Sequence, residues 1–319
     1  MKYNDAQEFL AALDETLQKR AEQIGRNQDY QKLKEELAIE RFLARINPEI
    51  AVVKGGAAAM LTVSNAPHTN DVDLVITESV VQSLGLRQMN PAKRTEVLAE
   101  LIQDQLRVKK GDFFRFKFED AFPITDLKPG HACSRINITV AVGNSEMHFL
   151  QVDIALQDGA LPTALVEGRD MLGFADVANP QVRTVTPEFL FADKTTLYLE
   201  EHGRPGANRV KDIVHAALIA ENCNLSLDEL TKVLADRATH RSVVGKLSAA
   251  IPDPPDDWND RFEELIEQAQ SRMTIQQAMR LIRETVDKVV CKAAALASEQ
   301  SSERHCEQDP SESRYSIGG

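Results

Sequence analysis

From Asp71 to Ile76 the chain alternates with period two: Val72, Leu74 and Ile76 stand against Asp71, Asp73 and Val75. In a strand, residues i and i+2 share a face, so the apolar set enters a core while the two carboxylates project together from the other side. A helix would scatter them. The neighbouring sequence supports a sheet. Ile50-Ala-Val-Val53 reads as a short buried strand that runs into Gly55-Gly56 and then into the small, helix-compatible Ala57-Ala-Ala-Met-Leu61, giving strand, tight turn and helix. Further on, Leu150, Val152, Ile154 and Leu156 alternate with Gln151, Asp153 and Ala155, so a later strand can aim a third carboxylate at the first two.

Residues 1–48 read as N-terminal helices, with Phe9, Leu10, Leu13 and Leu17 on one stripe, Leu33, Leu37, Ile39, Phe42 and Leu43 on another, and Gly25 and Asn27 between them. Residues 49–160 form an α/β core. Helical periodicity there covers 78–106, and strands at 113–118, 136–142 and 147–156 join the first two in a mixed or antiparallel sheet of four or five. Residues 161–297 read as a helical domain. Thr186-Pro187-Glu188 is a helix start with Thr as N-cap, and Val210, Ile213, Val214, Ala217 and Leu218 make a strong amphipathic stripe. From Ser298 the chain loses apolar periodicity, and 298–319 reads as a disordered tail.

Composition narrows the class. The 319 residues carry 37 Lys+Arg against 49 Asp+Glu, a net charge of −12, with 43% hydrophobic residues, which excludes disorder throughout. No apolar run approaches the roughly eighteen residues of a spanning helix, and Met1-Lys2-Tyr3-Asn4-Asp5 is unlike a signal peptide, so a cytoplasmic protein without membrane contact is expected. Cys133, Cys223, Cys291 and Cys306 are far apart with no C-x-x-C pair, which points to reduced thiols. The acidic total weighs against a nucleic-acid partner, yet Arg87, Lys93, Arg94, Arg107, Lys109, Lys110, Arg115 and Lys117 face only Glu96, Glu100, Asp104 and Asp112. That stretch is either a basic face or a solvated amphipathic helix.

Taken singly, a Gly pair is a turn and a strand Asp caps an edge. Together, three clustered carboxylates repel one another unless a cation sits between them. Hard divalent ions prefer such oxygen donors, and two of them stabilise the attacking and leaving oxygens of phosphoryl transfer, so Mg²⁺ is the natural occupant. Gly55 and Gly56, without side chains, let backbone N–H groups approach a triphosphate. Lys194 stands with Leu190 and Leu197 on an apolar stripe, where its ammonium either snorkels to water or serves a cleft. Asp212 is either a surface partner of Arg209, worth ~0–1 kcal/mol, or part of a site. H-E-x-x-H, G-x-S-x-G, Walker A and G-x-G-x-x-G motifs are absent, and His68, His131 and His148 read as surface or core residues.

The order Gly-Gly, Asp-x-Asp, strand Asp resembles the DNA polymerase β-type nucleotidyltransferase superfamily, and within it the AbiEii/MenT nucleotidyltransferase toxins. The matching stretches are Val53-Lys-Gly-Gly-Ala-Ala-Ala-Met60, Thr69-Asn-Asp-Val-Asp-Leu74, Val152-Asp-Ile154, Glu188-Phe-Leu-Phe-Ala-Asp-Lys194 and Arg209-Val-Lys-Asp-Ile213. Gly56 stands where the superfamily more often has Ser, and His68-Thr69-Asn70 lacks the arginine that often precedes the acidic motif. The resemblance implies a polymerase β-type core with a mixed sheet and a C-terminal helical domain. It implies Asp71, Asp73 and Asp153 as ligands of two Mg²⁺ ions, with Asp153 also helping to deprotonate the acceptor. Gly55, Gly56, Thr69, Lys194 and Arg209 are implied in nucleotide binding, and Lys194 and Asp212 in activity. The implied reaction joins a nucleotide from a nucleoside triphosphate to the 3′ end of tRNA, blocking translation, with an antitoxin as partner. A nucleotidyltransferase that inactivates an antibiotic, or a non-catalytic partner-binding module on the same fold, are the alternatives.

Overall fold

The computed structural model describes residues 2–23, 29–63, 65–124, 132–156, 161–202, 208–248 and 250–307. Strands are β1 (Ala51–Lys54), β2 (Asp71–Ile76), β3 (Phe114–Ile124), β4 (Ala132–Val142), β5 (Ser145–Leu156), β6 (Thr163–Glu167) and β7 (Gln181–Val185). Helices are α1 (Ala6–Gln23), α2 (Asp29–Leu43), α3 (Gly55–Thr62), α4 (Glu78–Leu84), α5 (Pro91–Leu106), α6 (Pro187–Glu201), α7 (Val210–Asn222), α8 (Leu227–His240), α9 (Val244–Ser248), α10 (Asn259–Gln268) and α11 (Ile275–Glu307). The helix break expected at Gly25 and Asn27, and His131, lie outside the described residues. No described helix is long and apolar enough to cross a membrane.

The strands form one mixed sheet in the order β3-β4-β5-β2-β1-β7-β6, with β2/β5 and β1/β7 parallel and the remaining neighbours antiparallel. Among the described residues it has seven strands where the sequence pattern gives four or five. The additional pair, β6 and β7, falls in the stretch read as helical. Both are five residues long, and edge strand β6 alternates only between exposed and half-buried positions, with Leu165 60% exposed. A short edge strand without a buried face leaves little hydrophobic signal.

Compactness divides the chain into Met1–Leu190 with Glu263–Arg272, and Phe191–Phe262 with Met273–Gly319. The division falls inside α6 rather than at residue 160, because β6 and β7 complete the first unit's sheet. In that unit Leu74, Ile76, Ile136, Ile138, Leu150, Val152 and Ile154 are fully buried or nearly so on one face of the sheet. Helices cover this face. Phe9 of α1 meets Phe114 edge-on with ring centroids 6.1 Å apart, Phe42 of α2 meets Phe116 at 6.3 Å, and Thr95 of α5 shares a 2.7 Å hydrogen bond with Ser134. Arg41 and Arg45 reach buried Asp112 at 2.6 and 2.5 Å, so those charges are paired. Asn90 caps α5 by accepting from the Lys93 N–H, with Pro91 in the first helical position.

In the second unit α7 is buried on nearly every side, from Val210 to Ile219, and packs against α11. Asp193 of α6 accepts from Arg237 at 2.6 Å and Arg241 at 2.9 Å. Burial opposes its ionisation, but Arg241, Arg237 and Lys194 together hold the carboxyl below the usual range. α11 continues to Glu307, past Ser298 where disorder is expected. Ser298 to Glu307 contains neither Gly nor Pro, and once a helix is nucleated it propagates through good helix formers without an apolar stripe.

Candidate active site

The register across the sheet collects the chemistry into rows. Lys54 of β1 pairs with Asp73 of β2, Asp73 with Asp153 of β5, Asp153 with Arg135 of β4, and Arg135 with Phe122 of β3. Register partners share a face, so one row reads Lys54, Asp73, Asp153, Arg135, Phe122. Two residues along the strands a second row reads Asp71, Gln151, Asn137, Asp120. The sheet therefore brings Asp71, Asp73 and Asp153 onto one face, opposite the buried one.

A cation also sits among these carboxylates, and the sequence reading missed it. Arg135 donates from Nε to Asp153 Oδ1 at 2.7 Å and from Nη2 to Oδ2 at 2.8 Å. This fork is the strong bidentate form of the pair. Polar Cys133, Arg135, Asn137 and Thr139 do alternate with Ser134, Ile136, Ile138 and Val140 in the sequence, which marks the face of Arg135 but not its partner.

The glycine pair has a steric explanation. Gly55 has φ +65°, and a Cβ there would lie 1.9 Å from Asp73 Oδ2. The first turn of α3 thus sits directly beneath the Asp73 carboxylate. At Gly56 a Cβ would lie 2.5 Å from Thr69 Oγ1, so a serine fits there only if Thr69 moves. Thr69 itself is buried and donates to Asp71 Oδ1 at 2.7 Å. Lys54 is in the N-cap position of α3 but makes no side-chain cap.

Behind this face, His68 lies 2.6 Å from Glu35 of α2. Arg169 joins Glu36 at 2.8 Å, donates to the Met60 carbonyl of α3, and gives its backbone N–H to Glu40. Burial pushes the Glu40 carboxyl up to about 7. Cys133 shares the open face, where burial and then Asp153 push its thiol up to about 11, so it stays protonated and is no nucleophile at neutral pH. His148 is half-buried, and burial lowers its pKa.

The second unit holds the other expected residues. Lys194 Nζ lies 2.9 Å from Asp212 Oδ1, with side-chain exposures of 12% and 8%, and Arg209 lies 3.5 Å from Asp212 Oδ2. The ammonium does not snorkel; it is buried against a partner. Nor is Asp212 a surface residue, since both it and His215 are buried on a helix expected to have a polar face there. Arg209, Lys194 and Asp212 form one charged cluster.

A model of the family described as nucleotidyl transferase AbiEii toxin, type IV toxin–antitoxin system, matches residues 37–290. The chain belongs to the AbiEii nucleotidyltransferase toxin family. Its fold is similar to that of MenT4, a nucleotidyltransferase toxin from Mycobacterium tuberculosis H37Rv, at 14% identity and a TM-score of 0.50, covering 87% of this chain and 98% of that one. JHP933 from Helicobacter pylori matches at 13% identity and TM-score 0.44 over 88% of this chain and 98% of its own. No curated protein matches the sequence.

As an AbiEii-family member the protein is a nucleotidyltransferase, and the family implies a nucleoside triphosphate, a divalent metal and an antitoxin. The donor set suits a hard cation only in part. Asp71 and Asp73 offer carboxylate oxygens on one face, with Asp73 lying over a glycine that leaves the space open. Both oxygens of Asp153 instead accept from Arg135, and no group of three or more His, Cys, Asp or Glu among the described residues is arranged to hold a metal ion.

Proposed function

We propose that this nucleotidyltransferase transfers a nucleoside monophosphate to the 3′ hydroxyl of tRNA, stopping translation, and that a cognate antitoxin restrains it. One observation carries the reading: Asp71, Asp73 and Asp153 share the open face of β2 and β5, and Asp73 lies against Gly55 in the first turn of α3. That arrangement of oxygens at a helix start suits a triphosphate brought in with divalent cations.

In this reading the acceptor oxygen attacks the α-phosphorus, the bond from that phosphorus to the bridging oxygen breaks, and pyrophosphate leaves. Asp71 and Asp73 would hold Mg²⁺, and Thr69 is a positioning residue that orients Asp71 through its 2.7 Å hydrogen bond. Bound Mg²⁺ supplies charge neutralisation at the attacking and leaving oxygens. Asp153 would complete the two-metal set and receive the acceptor's proton at Oδ2, which requires Arg135 to release it. The backbone N–H groups of Gly55 and Gly56 would approach the phosphates. Lys194, oriented by Asp212, would neutralise phosphate charge, with Arg209 beside it.

The test is incubation of the full chain with total tRNA, Mg²⁺ and each α-labelled nucleoside triphosphate in turn. Label should enter tRNA from one nucleotide and vanish with Asp71→Asn, whose fold should be intact or even stabilised without metal because a repulsion is gone. Full activity in Asp71→Asn would refute the metal assignment. Transfer to a small molecule instead of RNA would replace the acceptor.

A further inference from the structure

The charged row that crosses the sheet holds two cations, one on either side of its carboxylates, and only one of them is engaged. Arg135 forks onto Asp153, whereas Lys54 forms no ion pair and no side-chain hydrogen bond among the described residues. Lys54 is half-buried, and an ammonium drawn partly out of water without a partner carries a desolvation cost that an anion would relieve. It is the register partner of Asp73, a placement that sets Cβ atoms about 4.5–5.5 Å apart, yet it does not close on that carboxylate. After burial, the groups that act on the Cys133 thiol of the same face are Asp153, Lys54, Asp73 and Arg135, so these four charges face one space.

The place of Lys54 in the chain adds a second observation. It is the N-cap residue of α3, with extended backbone at φ −130° and ψ −168°, so it stands immediately before Gly55 and Gly56, whose N–H groups carry the positive end of the helix dipole. In the second unit Lys194 and Arg209 are both drawn to Asp212. The order of the row then gives a direction. In the proposed reaction the acceptor's proton passes to Asp153, so the attacking oxygen enters from the Asp153 side. Attacking and leaving oxygens lie roughly in line through the transferred phosphorus. The leaving oxygen therefore departs on the opposite side, where the row runs from Asp73 to Lys54, whose backbone is two strands and about 10 Å from that of Asp153.

We infer that Lys54 is a catalytic residue that binds the β- and γ-phosphates of the nucleoside triphosphate and neutralises the leaving pyrophosphate. Its ammonium donates hydrogen bonds to those phosphate oxygens and keeps its proton throughout. When the bond from the α-phosphorus to the bridging oxygen breaks, the electron pair goes to that oxygen, and the charge gathers on the side where Lys54 stands. An acidic face of three carboxylates also repels a polyanion, and an uncommitted cation beside them offsets that repulsion. The assignment rests on the nucleotidyltransferase reading for the direction of attack, but its test reads binding alone.

The experiment measures binding of the full chain to inorganic pyrophosphate, to each nucleoside triphosphate and to its monophosphate, all with Mg²⁺, and to Mg²⁺ alone. Lys54→Met should weaken triphosphate and pyrophosphate binding about 10- to 150-fold, the range of one lost charge-assisted hydrogen bond, and leave the monophosphate within about twofold. Mg²⁺ alone should bind Lys54→Met at least as tightly as wild type, because a neighbouring positive charge is gone, whereas a damaged fold would lose it. Lys54→Gln, which keeps a polar side chain at the half-buried position, should show the same selective loss, and Lys54→Arg should retain most of the affinity. Equal losses for triphosphate and monophosphate would overturn the inference. So would triphosphate and pyrophosphate affinities within about twofold of wild type in both neutral variants, even if tRNA is labelled. Wild-type protein that binds neither would overturn it together with the reaction. Selective, Lys54-dependent binding of triphosphate and pyrophosphate without transfer to tRNA would uphold it and refute the acceptor.

Discussion

Gly55→Ala separates the two reasons for a glycine at the start of α3. Gly55 and Gly111 have nearly equal φ, +65° and +66°, but nothing lies within 4 Å of a Cβ built at Gly111. Gly111→Ala therefore carries only the left-handed backbone cost of roughly 1–2 kcal/mol. At Gly55 the new Cβ would stand 1.9 Å from Asp73 Oδ2 and 2.9 Å from its Cγ, and ordinary contact begins at 3.4 Å. The carboxylate oxygen must retreat by 3.4 − 1.9 = 1.5 Å. Rotating the terminal torsion leaves Cγ in the way, so χ1 or the backbone must move, adding about 1–3 kcal/mol. A displacement of about 1 Å at a reacting centre costs on the order of 10²-fold in rate. Urea denaturation should place Gly55→Ala about 2–5 kcal/mol below wild type and at least 1 kcal/mol below Gly111→Ala. Label transfer should fall a hundredfold or more in Gly55→Ala and stay within threefold of wild type in Gly111→Ala. Equal stability losses with activity retained in both would refute the claim that this glycine exists to admit the Asp73 carboxylate.

Arg135→Met strands Asp153 beside Asp73 and should cost about 1–3 kcal/mol at pH 7, most of it regained in Arg135→Met/Asp153→Asn; a double variant no better than the single would show that the fork is not what Arg135 contributes. Glu40 gives a pH signature: its folded-state carboxyl sits at about 7 against 4.5 unperturbed, so the folded state holds a proton that the unfolded chain releases. Stability should then fall as pH rises from about 4.5 to about 7, by up to ~3 kcal/mol, and level off above. Urea midpoints for Glu40→Gln should be flatter across that window, and an unchanged slope would assign the dependence to other groups. Lys194→Met leaves Asp212 buried without its 2.9 Å partner, with Arg209 at 3.5 Å, and should destabilise by about 2–4 kcal/mol. Adding Asp212→Asn should restore most of the stability but none of the transfer activity; restored activity would make the pair purely structural.

The parts of the site legible in the sequence are those fixed within one strand or turn. Period-two alternation placed Asp71 and Asp73 on one face and Asp153 on the corresponding face of its own strand, and Gly55-Gly56 marked the turn into α3. The charge cluster of Lys194, Arg209 and Asp212 was legible as residues but not as a buried unit, because the polarity of α7 suggested an exposed face that packing against α11 denies it. β6 escaped because an edge strand needs little apolar surface, and interior β7 because five residues carry too short an alternation to stand out.

What stayed hidden depends on register. The hairpin of β4 and β5 pairs Val142 with Ser145, and continuing that register would set Arg135 opposite Val152, whose side chain belongs to the buried face. An irregularity between Val140 and Ala141 shifts the pairing by one residue and brings Arg135 opposite Asp153 instead. A second irregularity, between Phe118 and Asp120 of β3, turns Phe122 from the buried face to the open one, opposite Arg135. Since a slip of one residue exchanges the two faces of a strand, each bulge decides whether a side chain joins the core or the site. Both the fork on Asp153 and the exposed ring beside it are thus products of bulges, which the alternation of residues within a single strand does not encode.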